Sequence, residues 1–216
     1  MEYSCAILIQ NKFVVRTKKS VCKKKEMRSI AYYFLEFIFI TTCLSCDLES
    51  VEDTSGCDFD SLLLVNPQTG FTVADENCGL EVDKRTFEDQ PYVFYPNARD
   101  DLKYTLIMVD QDDPFTEDDN DFLQWMVINI SGTSLKYGVG EFYGETLVAY
   151  ISPDPAEDTC THRYTIYIFE QIFSPLTFPE LPDLRSEFKI NDFIENVVPK
   201  GAFCGPVASI QFQSRF

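Results

Sequence analysis

The pattern of apolar and polar positions predicts a domain made mainly of β-strands. Three stretches are apolar or β-branched at nearly every position, which is typical of strands that are buried on both faces. They are Tyr104–Val109, Phe122–Ile130 and Tyr164–Phe169. Two further stretches, Thr146–Ile151 and the partly alternating Val207–Phe216, predict additional strands of the same domain.

Helical spacing occurs late in the chain. Apolar residues recur at a loose helical spacing between Leu184 and Val198, which predicts one amphipathic helix there. Asp183 is a candidate cap for its first turn, and Pro199 would end it. We therefore expect a mostly β domain with one or two peripheral helices.

The first 46 residues have the layout of a secretory signal. Ser29–Cys46 is a mostly apolar run with basic residues before it and small residues at its end. Read from Met27, it is a compact signal peptide, so we interpret residues 1–26 as an upstream extension that need not be translated. Removal of residues 27–46 would leave residues 47–216 as a secreted domain without a membrane span. The alternative is a protein anchored in the membrane through an uncleaved signal, which Glu36 within the run disfavours.

The composition fits a folded and strongly acidic domain. Hydrophobic residues make up 45% of the chain and aromatic residues 14%, which is enough for a core. The formal net charge is −17, and such a charge repels nucleic acid and anionic surfaces. We therefore expect no nucleic-acid partner, and polar partners that are cationic or zwitterionic.

Four cysteines would remain after cleavage behind Cys46. They are Cys57, Cys78, Cys160 and Cys204. An even number in a secreted chain is compatible with two disulfides, and the sequence does not choose among the three possible pairings. Free buried thiols are the alternative interpretation. A metal site such as zinc is not expected, because His162 is the single histidine and the domain has no C-x-x-C pair.

The acidic stretch from Asp110 to Asp121 resembles a calcium loop in length alone. An EF-hand loop needs an oxygen ligand at its fifth position and glycine at its sixth, where this chain has Pro114 and Phe115. Asp110 and Asp112 follow a strand and would share one side if the strand geometry continued. We interpret Phe115 to Asp121 as a solvated acidic turn. Because the standard nucleophile and phosphate-loop motifs are absent from the sequence, we expect no enzymatic activity and no cofactor.

Short motifs from Tyr104 to Gln213 form an ordered series. The series consists of Y-T-L-I-M-V-D-Q-D-D-P (Tyr104–Pro114), F-L-Q-W-M-V-I-N-I (Phe122–Ile130), Tyr150, H-R-Y (His162–Tyr164), F-E-Q (Phe169–Gln171), F-K-I (Phe188–Ile190) and P-V-A-S…F-Q (Pro206–Gln213). In order and spacing it resembles the phosphatidylethanolamine-binding protein family, with its Y-T-L-x-x-x-D-P-D-A-P, W-H-H-x-x-V-x-N, Y-x-G-x-x-P-P…G-x-H-R-Y and P-V-A-G…F-Q. The resemblance covers about Gln90 to Phe216.

The resemblance implies a β-sandwich with a small surface pocket for anionic groups such as phosphate or a phospholipid head group. The positions that match the family's pocket are Asp110, Pro114, Gln124, Pro155, His162 and Tyr164. His162 and Tyr164 would donate hydrogen bonds to a phosphate. Asp110 or Asp112 would hold the imidazole, or face an ammonium group. Without the resemblance, His162 and Tyr164 would be interpreted as core strand residues.

The sequence departs from the family pattern at several positions of this pocket, including Ala156 in place of the family's second proline. Gln124 stands where the family usually has a second histidine, so that His162 would be the one titratable cation of the pair. Asp154 brings an acid to the rim. Cys160 replaces a glycine, and a disulfide there would fasten the pocket wall. These changes predict weaker anion binding than in a pocket with two histidines.

Two classes of function follow from the resemblance. The first is a secreted, non-enzymatic binding protein for a phosphate-type or phosphatidylethanolamine-like ligand. The second is a regulator of other proteins, such as a serine protease inhibitor or a signalling modulator, which would act through its surface loops. Asn129-Ile-Ser131 is in addition a glycosylation sequon, and it lies at the end of a predicted strand.

Overall fold

The structure is a computed structural model that describes residues 48–51, 55–114, 116, 120–138, 144–157, 159–178 and 185–216. The predicted upstream extension (1–26) and signal peptide (27–46) lie outside these residues, and both stay predictions. Of the helices in the described ranges, none has the length and apolar character needed to cross a bilayer.

The described chain folds into ten strands and two short α-helices. The strands are β1 (Asp60–Ser61), β2 (Leu63–Val65), β3 (Thr72–Val73), β4 (Leu80–Asp83), β5 (Tyr92–Phe94), β6 (Lys103–Asp110), β7 (Phe122–Ser131), β8 (Glu145–Val148), β9 (His162–Gln171) and β10 (Phe203–Arg215). The helices are α1 (Gly132–Tyr137) and α2 (Ile190–Asn196), and there are 3-10 turns at Asp75–Asn77, Lys84–Phe87 and Arg185–Glu187. The mostly β fold predicted from the sequence is confirmed.

The strands form two sheets. The main sheet has the order β1-β10-β9-β6-β7-β8, with β4 also paired to β10, and the smaller sheet has the order β3-β2-β5. At one end of the main sheet, Asp110 pairs with both Tyr164 and Phe122, and His162 pairs with Ser214. The last residues of β6 and β10 and the first residues of β7 and β9 therefore lie side by side.

Apolar residues cover both faces of the main sheet. The smaller sheet covers one face, where Leu64 and Val93 share a core with Met108 and Ile210. Residues of α2 and its neighbours cover the other face and share a second core with β6, β7 and β9. Every residue of β6 after Lys103 is buried, which confirms the prediction that this strand is buried on both faces.

The late helix is shorter than predicted. The structure has a 3-10 turn at Arg185–Glu187 and then α2, which begins only at Ile190. Phe188 lies between them in a bridge with Asp121, whose N–H donates to the Phe188 carbonyl over 2.8 Å. This backbone pairing interrupts the helix, because it uses the groups that a continuous helix would need. The candidate cap Asp183 lies outside the described residues.

Helix α1 was not predicted from the sequence. Ser131 is the N-cap residue of α1, and its hydroxyl accepts from the Ser134 N–H over 3.1 Å. Gly138 ends the helix in a left-handed conformation with φ 57°, which glycine adopts at little cost. The helix therefore has local signals at both ends.

The cysteines pair differently from the expectation. Cys57 and Cys78 form a disulfide, Cys204 is disulfide-bonded as well, and Cys160 is free and exposed. Cys160 therefore does not take part in the second disulfide that four cysteines would allow. Cys160 also forms no disulfide beside His162, since it lies exposed in the connection before β9.

The sequon asparagine is part of a hydrogen-bond network that holds β7 to the segment after β9. The Asn129 amide nitrogen donates to the Leu176 carbonyl over 2.8 Å, and its oxygen accepts from the Leu176 N–H and the Gln171 amide. Asn129 has φ 59°, a left-handed conformation that asparagine tolerates better than most residues. The nitrogen to which a glycan would be attached is thus engaged inside the fold.

Candidate functional site

A buried histidine–carboxylate pair lies where β6 ends and β9 begins. His162 Nδ1 is 2.9 Å from Asp110 Oδ2, and each side chain is about 3% exposed. His162 Nε2 is 2.8 Å from the Thr159 hydroxyl, which donates its own proton to the Ala156 carbonyl over 2.7 Å. Nε2 therefore donates to Thr159, and both ring nitrogens are engaged. Of the two carboxylates proposed to hold the imidazole, the structure assigns Asp110.

The electrostatics of this pair are set by burial. Burial raises the pKa of Asp110, while the hydrogen bond from His162 acts in the opposite direction. The Asp110 carboxyl, at hydrogen-bond distance from the ring, offsets positive charge on the imidazole, so His162 adds little positive potential for an anion.

Tyr164 and Gln124 contribute buried polar atoms that have no hydrogen-bond partner among the described residues. The Tyr164 ring stacks on Phe212 with 5.3 Å between centroids, on the same strand face as His162. Its hydroxyl lies near the Asp110 carboxylate but outside hydrogen-bond geometry, and burial followed by the Asp110 charge raises its pKa. Tyr164 therefore stays a hydrogen-bond donor at physiological pH.

Gln124 is 4% exposed, and its Oε1 is the second orphaned atom. It lies in a β-bulge, because Met108 pairs with Trp125 while Val109 pairs with Leu123. The extra residue of a bulge is left out of the ladder, and its side chain is redirected. A buried amide oxygen without a partner is costly, and in native proteins such an atom indicates a role that water or a ligand completes.

In the described structure, Asp112 is hydrogen-bonded to Arg163 and not to His162. It binds Arg163, whose guanidinium donates to both carboxylate oxygens and whose backbone N–H donates to Oδ2, each over 2.8 Å. Burial opposes its ionisation, but the Arg163 hydrogen bonds outweigh burial and lower the pKa of Asp112. The expectation that Asp110 and Asp112 share one side is wrong, because strand β6 ends at Asp110 and the chain turns there.

The two proline positions have different environments. Pro114 is exposed in the turn after β6, whereas Pro155 is buried in the connection between β8 and β9. Asp154, next to Pro155, is exposed and forms an ion pair with Lys84 at 3.1 Å. The structure thus brings Asp110, His162 and Tyr164 together, and puts Asp154 in contact with a base.

Asp121 is an acid near the site that was expected from the sequence to lie in a solvated turn. The structure shows it half-buried immediately before β7, where its backbone pairs with Phe188. Burial and then the nearby charge of Asp110 raise the pKa of its carboxyl to about 7. The sequence carries no signal for this, because the bridge joins positions far apart in the chain.

A separate cavity lies on the other face of the main sheet. It has a volume of about 260 Å³, with apolar walls from β7 and α2, including Met126 and Phe193, and polar groups at Lys189 and Asp192. The sequence-predicted site residues do not line it. The cavity is therefore distinct from the His162 site.

The chain belongs to the phosphatidylethanolamine-binding protein family, because the model of that family matches residues 74–202, more than half of its length. A 26 kDa secreted antigen of Toxocara canis is 36% identical over 105 residues, which cover 46% of this chain and 37% of the antigen. Protein MOTHER of FT and TFL1 homolog 2 of Oryza sativa subsp. japonica is 40% identical over 83 residues, 38% of this chain and 43% of that protein. The chain thus spans less than half the length of each of these curated relatives.

Solved structures agree on the fold. The phosphatidylethanolamine-binding protein from Plasmodium vivax has a TM-score of 0.53 and 21% identity, covering 73% of this chain and 87% of that one. A carboxypeptidase Y inhibitor, solved with its cognate proteinase, has a TM-score of 0.52 and 16% identity, covering 73% and 84%. At these identities the likeness shows the fold alone, and it confirms the β-sandwich that the sequence motifs implied.

Proposed function

We propose that the protein is a secreted, non-enzymatic binding protein whose His162 site takes a zwitterionic phosphate head group of the phosphatidylethanolamine type. The observation that carries the proposal is a buried histidine whose neighbour Tyr164 has a buried hydroxyl without a partner among the described residues. Gln124 Oε1, on β7 at the same end of the sheet, is a second such atom. Such atoms are rare in native proteins unless something completes them.

The chemistry of the site suits a ligand with both charges. His162 Nε2–H and the Tyr164 hydroxyl are donors for a phosphate oxygen. Asp110, Asp121 and Gln124 Oε1 are acceptors that an ammonium group satisfies. Free phosphate would meet the same carboxylates without any compensating cation, so we expect the zwitterion to bind more tightly than inorganic phosphate.

Two observations support secretion. One relative is named a secreted antigen, and the described chain contains the disulfide Cys57–Cys78. Disulfides persist mainly in oxidising compartments such as the extracellular space. An N-terminus near Cys46 or Asp47 in protein from culture medium would agree with the predicted signal, whereas a membrane-retained product with residues 29–46 intact would contradict it.

The binding proposal is tested by titrating the purified protein with phosphoethanolamine and with inorganic phosphate, by calorimetry and by NMR of the His162 ring. We expect saturable shifts of the His162 signals and tighter binding of phosphoethanolamine. Tyr164→Phe removes one donor and should weaken binding about three- to tenfold.

Tyr167→Phe is the matched control, because Tyr167 is a fully buried tyrosine of the same strand that packs on the opposite face of the sheet. It should leave the affinity unchanged. If saturating phosphoethanolamine leaves the His162 signals unmoved, or if the two substitutions weaken binding equally, the site does not bind this head group.

A regulator of proteases or signalling proteins is the alternative function. The structural likeness to a carboxypeptidase Y inhibitor, at 16% identity, is a likeness of fold. A panel of serine proteases assayed with the wild type and with His162→Ala tests this alternative. Inhibition that survives the substitution would place the function on surface contacts instead of the His162 site.

A further inference from the structure

The His162 site has more acids than a phosphate group would favour. The Asp110 carboxyl lies against the His162 ring, while Asp121 and Asp154 add carboxylates nearby. Gln124 contributes no charge. A phosphate is bound most strongly by charge-assisted hydrogen bonds, so a head group that binds here needs a cation from another part of the chain.

The bases described around the site differ in what they already bind. Arg163 is held by both oxygens of Asp112, and Arg185 donates to backbone carbonyl oxygens of β7. Lys189 lies near Asp121 and lines the cavity on the other face of the sheet. Lys84, in contrast, reaches the connection before β9, because its Nζ is 3.1 Å from Asp154 Oδ1.

The backbone around Lys84 is fixed against the walls of the site. Lys84 begins the 3-10 turn that follows β4, and β4 is paired with the end of β10. Further along this turn, the Phe87 carbonyl accepts from the Tyr150 hydroxyl over 2.6 Å. The Phe87 ring packs on Phe212, the residue on which Tyr164 is stacked. The turn that carries Lys84 is thus linked by packing to the Tyr164 wall.

Two exposed groups hold the Lys84 ammonium. The ring of Phe216 lies under it, with 4.1 Å from Nζ to the ring centroid. Asp154 pairs with it, and the Asp154 backbone lies close to the Tyr164 hydroxyl. The ammonium is therefore paired with a residue whose backbone approaches the Tyr164 hydroxyl.

We propose that Lys84 is the phosphate-binding cation of the site and that Asp154 is the counter-ion it leaves when a head group binds, an inference that rests on the proposed function. The Asp154 side chain is 80% exposed, and exposed ion pairs contribute little to stability. The free-energy cost of breaking the Lys84–Asp154 ion pair so that Lys84 can bind a phosphate oxygen is therefore small. The Phe216 ring keeps the ammonium in place during the exchange through its cation–π contact.

The test is a double-mutant cycle on phosphoethanolamine binding, measured by calorimetry at low ionic strength. Lys84→Gln should weaken binding about five- to tenfold, because a charge-assisted hydrogen bond is lost. Asp154→Asn should tighten binding by about threefold, since it frees the ammonium. In the Lys84→Gln background, Asp154→Asn should bring no tightening. Lys84→Arg should retain binding.

Lys136→Gln is the matched control. Lys136 has the same two kinds of neighbour, an ion pair with Asp100 at 3.9 Å and the Tyr137 ring at 6.0 Å, but it belongs to α1. The Lys136→Gln substitution changes the net charge by the same amount as Lys84→Gln, and it should leave the affinity for phosphoethanolamine unchanged.

The outcomes separate this inference from the proposed function. If the wild type binds phosphoethanolamine and Tyr164→Phe weakens it, but Lys84→Gln binds like Lys136→Gln, the site stands and the role of Lys84 is refuted. Equal tightening by Asp154→Asn with and without Lys84 refutes the competition between Asp154 and phosphate. Absence of wild-type binding overturns the proposed function and this inference with it.

Discussion

Asp121 shows how one carboxyl can couple the site to pH. Its pKa is raised to about 7 by burial and by the charge of Asp110, against an ordinary value of 3.8. When a carboxyl has a higher pKa in the folded than in the unfolded chain, its contribution to stability is fully present below the unfolded pKa. That contribution is lost as the pH rises through the folded pKa. The relevant window for Asp121 is therefore about pH 4 to 7.

We predict that Asp121→Asn removes the loss of stability that the ionisation of Asp121 causes as the pH rises. At pH 4 the wild type and the variant should have similar free energies of unfolding. At pH 7.5 the variant should be more stable by roughly 2 to 4 kcal/mol, since each unit of pKa difference corresponds to about 1.4 kcal/mol. Urea denaturation at several pH values measures the free energies of unfolding of the wild type and the variant. The exposed Asp75 supplies the control Asp75→Asn, and parallel pH profiles for wild type and Asp121→Asn would contradict the assignment.

The sequence predicted site residues well where strand periodicity governs them. His162 and Tyr164 share a face because they are two apart on β9, as alternation requires. Asp112 was misplaced because the same rule was extended beyond the end of β6 at Asp110. The half-burial of Asp121 depends on its pairing with Phe188, a contact that no local pattern records.

At the scale of elements, Asn129 connects three segments of the chain, which are β7, the end of β9 and the segment that follows β9. Its side chain holds Leu176 through two hydrogen bonds of 2.8 Å and Gln171 through one of 3.0 Å. The Asn129 backbone N–H also donates to Gln171 Oε1 over 2.8 Å. These contacts fasten β7 to the end of β9 and to the chain that covers the second core.

We predict that Asn129→Ala costs roughly 2 to 4 kcal/mol of unfolding free energy, because it leaves partners of three hydrogen bonds unsatisfied. It also places a residue other than asparagine or glycine at a left-handed position. Chemical denaturation measures the loss. Asn97→Ala is the control, since Asn97 makes one exposed hydrogen bond to Asp60 and should cost less than about 1 kcal/mol. Equal costs would refute the structural role of the Asn129 network.

The five predicted strands appear within a few residues of their expected bounds. The three that are buried on both faces match best, because such strands have a strong compositional pattern. The helices were less predictable. α2 is cut short by the Phe188 bridge, and α1 is only six residues long, too short for an apolar repeat to be visible. The short strands of the smaller sheet were not predicted, since two or three residues carry no periodicity.

At the scale of the whole molecule, one disulfide ties the edge of the main sheet together. Cys57 precedes β1 and Cys78 precedes β4, and both of these strands pair with β10. The crosslink closes a loop with a sequence separation of 21. In the unfolded chain this closure reduces the conformational freedom of the segment that supplies β1 to β3.

We predict that Cys57→Ser/Cys78→Ser lowers the unfolding free energy by about 3 kcal/mol, the value expected from loop closure at this length. Cys160→Ser is the control, because this thiol is free and exposed, and it should leave stability unchanged. Thermal and urea denaturation of the three proteins provide the comparison. A destabilising effect of Cys160→Ser comparable to that of the double variant would mean that Cys160 takes part in a disulfide in solution.

The hydrogen bond between Thr159 and His162 also has a kinetic consequence. The imidazole is 2% exposed, and its outward nitrogen already has a partner. A ligand therefore gains access only in the fraction of molecules in which Thr159 has released Nε2, and the apparent affinity is reduced by that fraction. At high ligand concentration the association rate should reach a plateau set by this opening step. Because a bound ligand takes the place of Thr159 at Nε2, this hydrogen bond lowers the apparent affinity through the association step and leaves the dissociation rate unaffected.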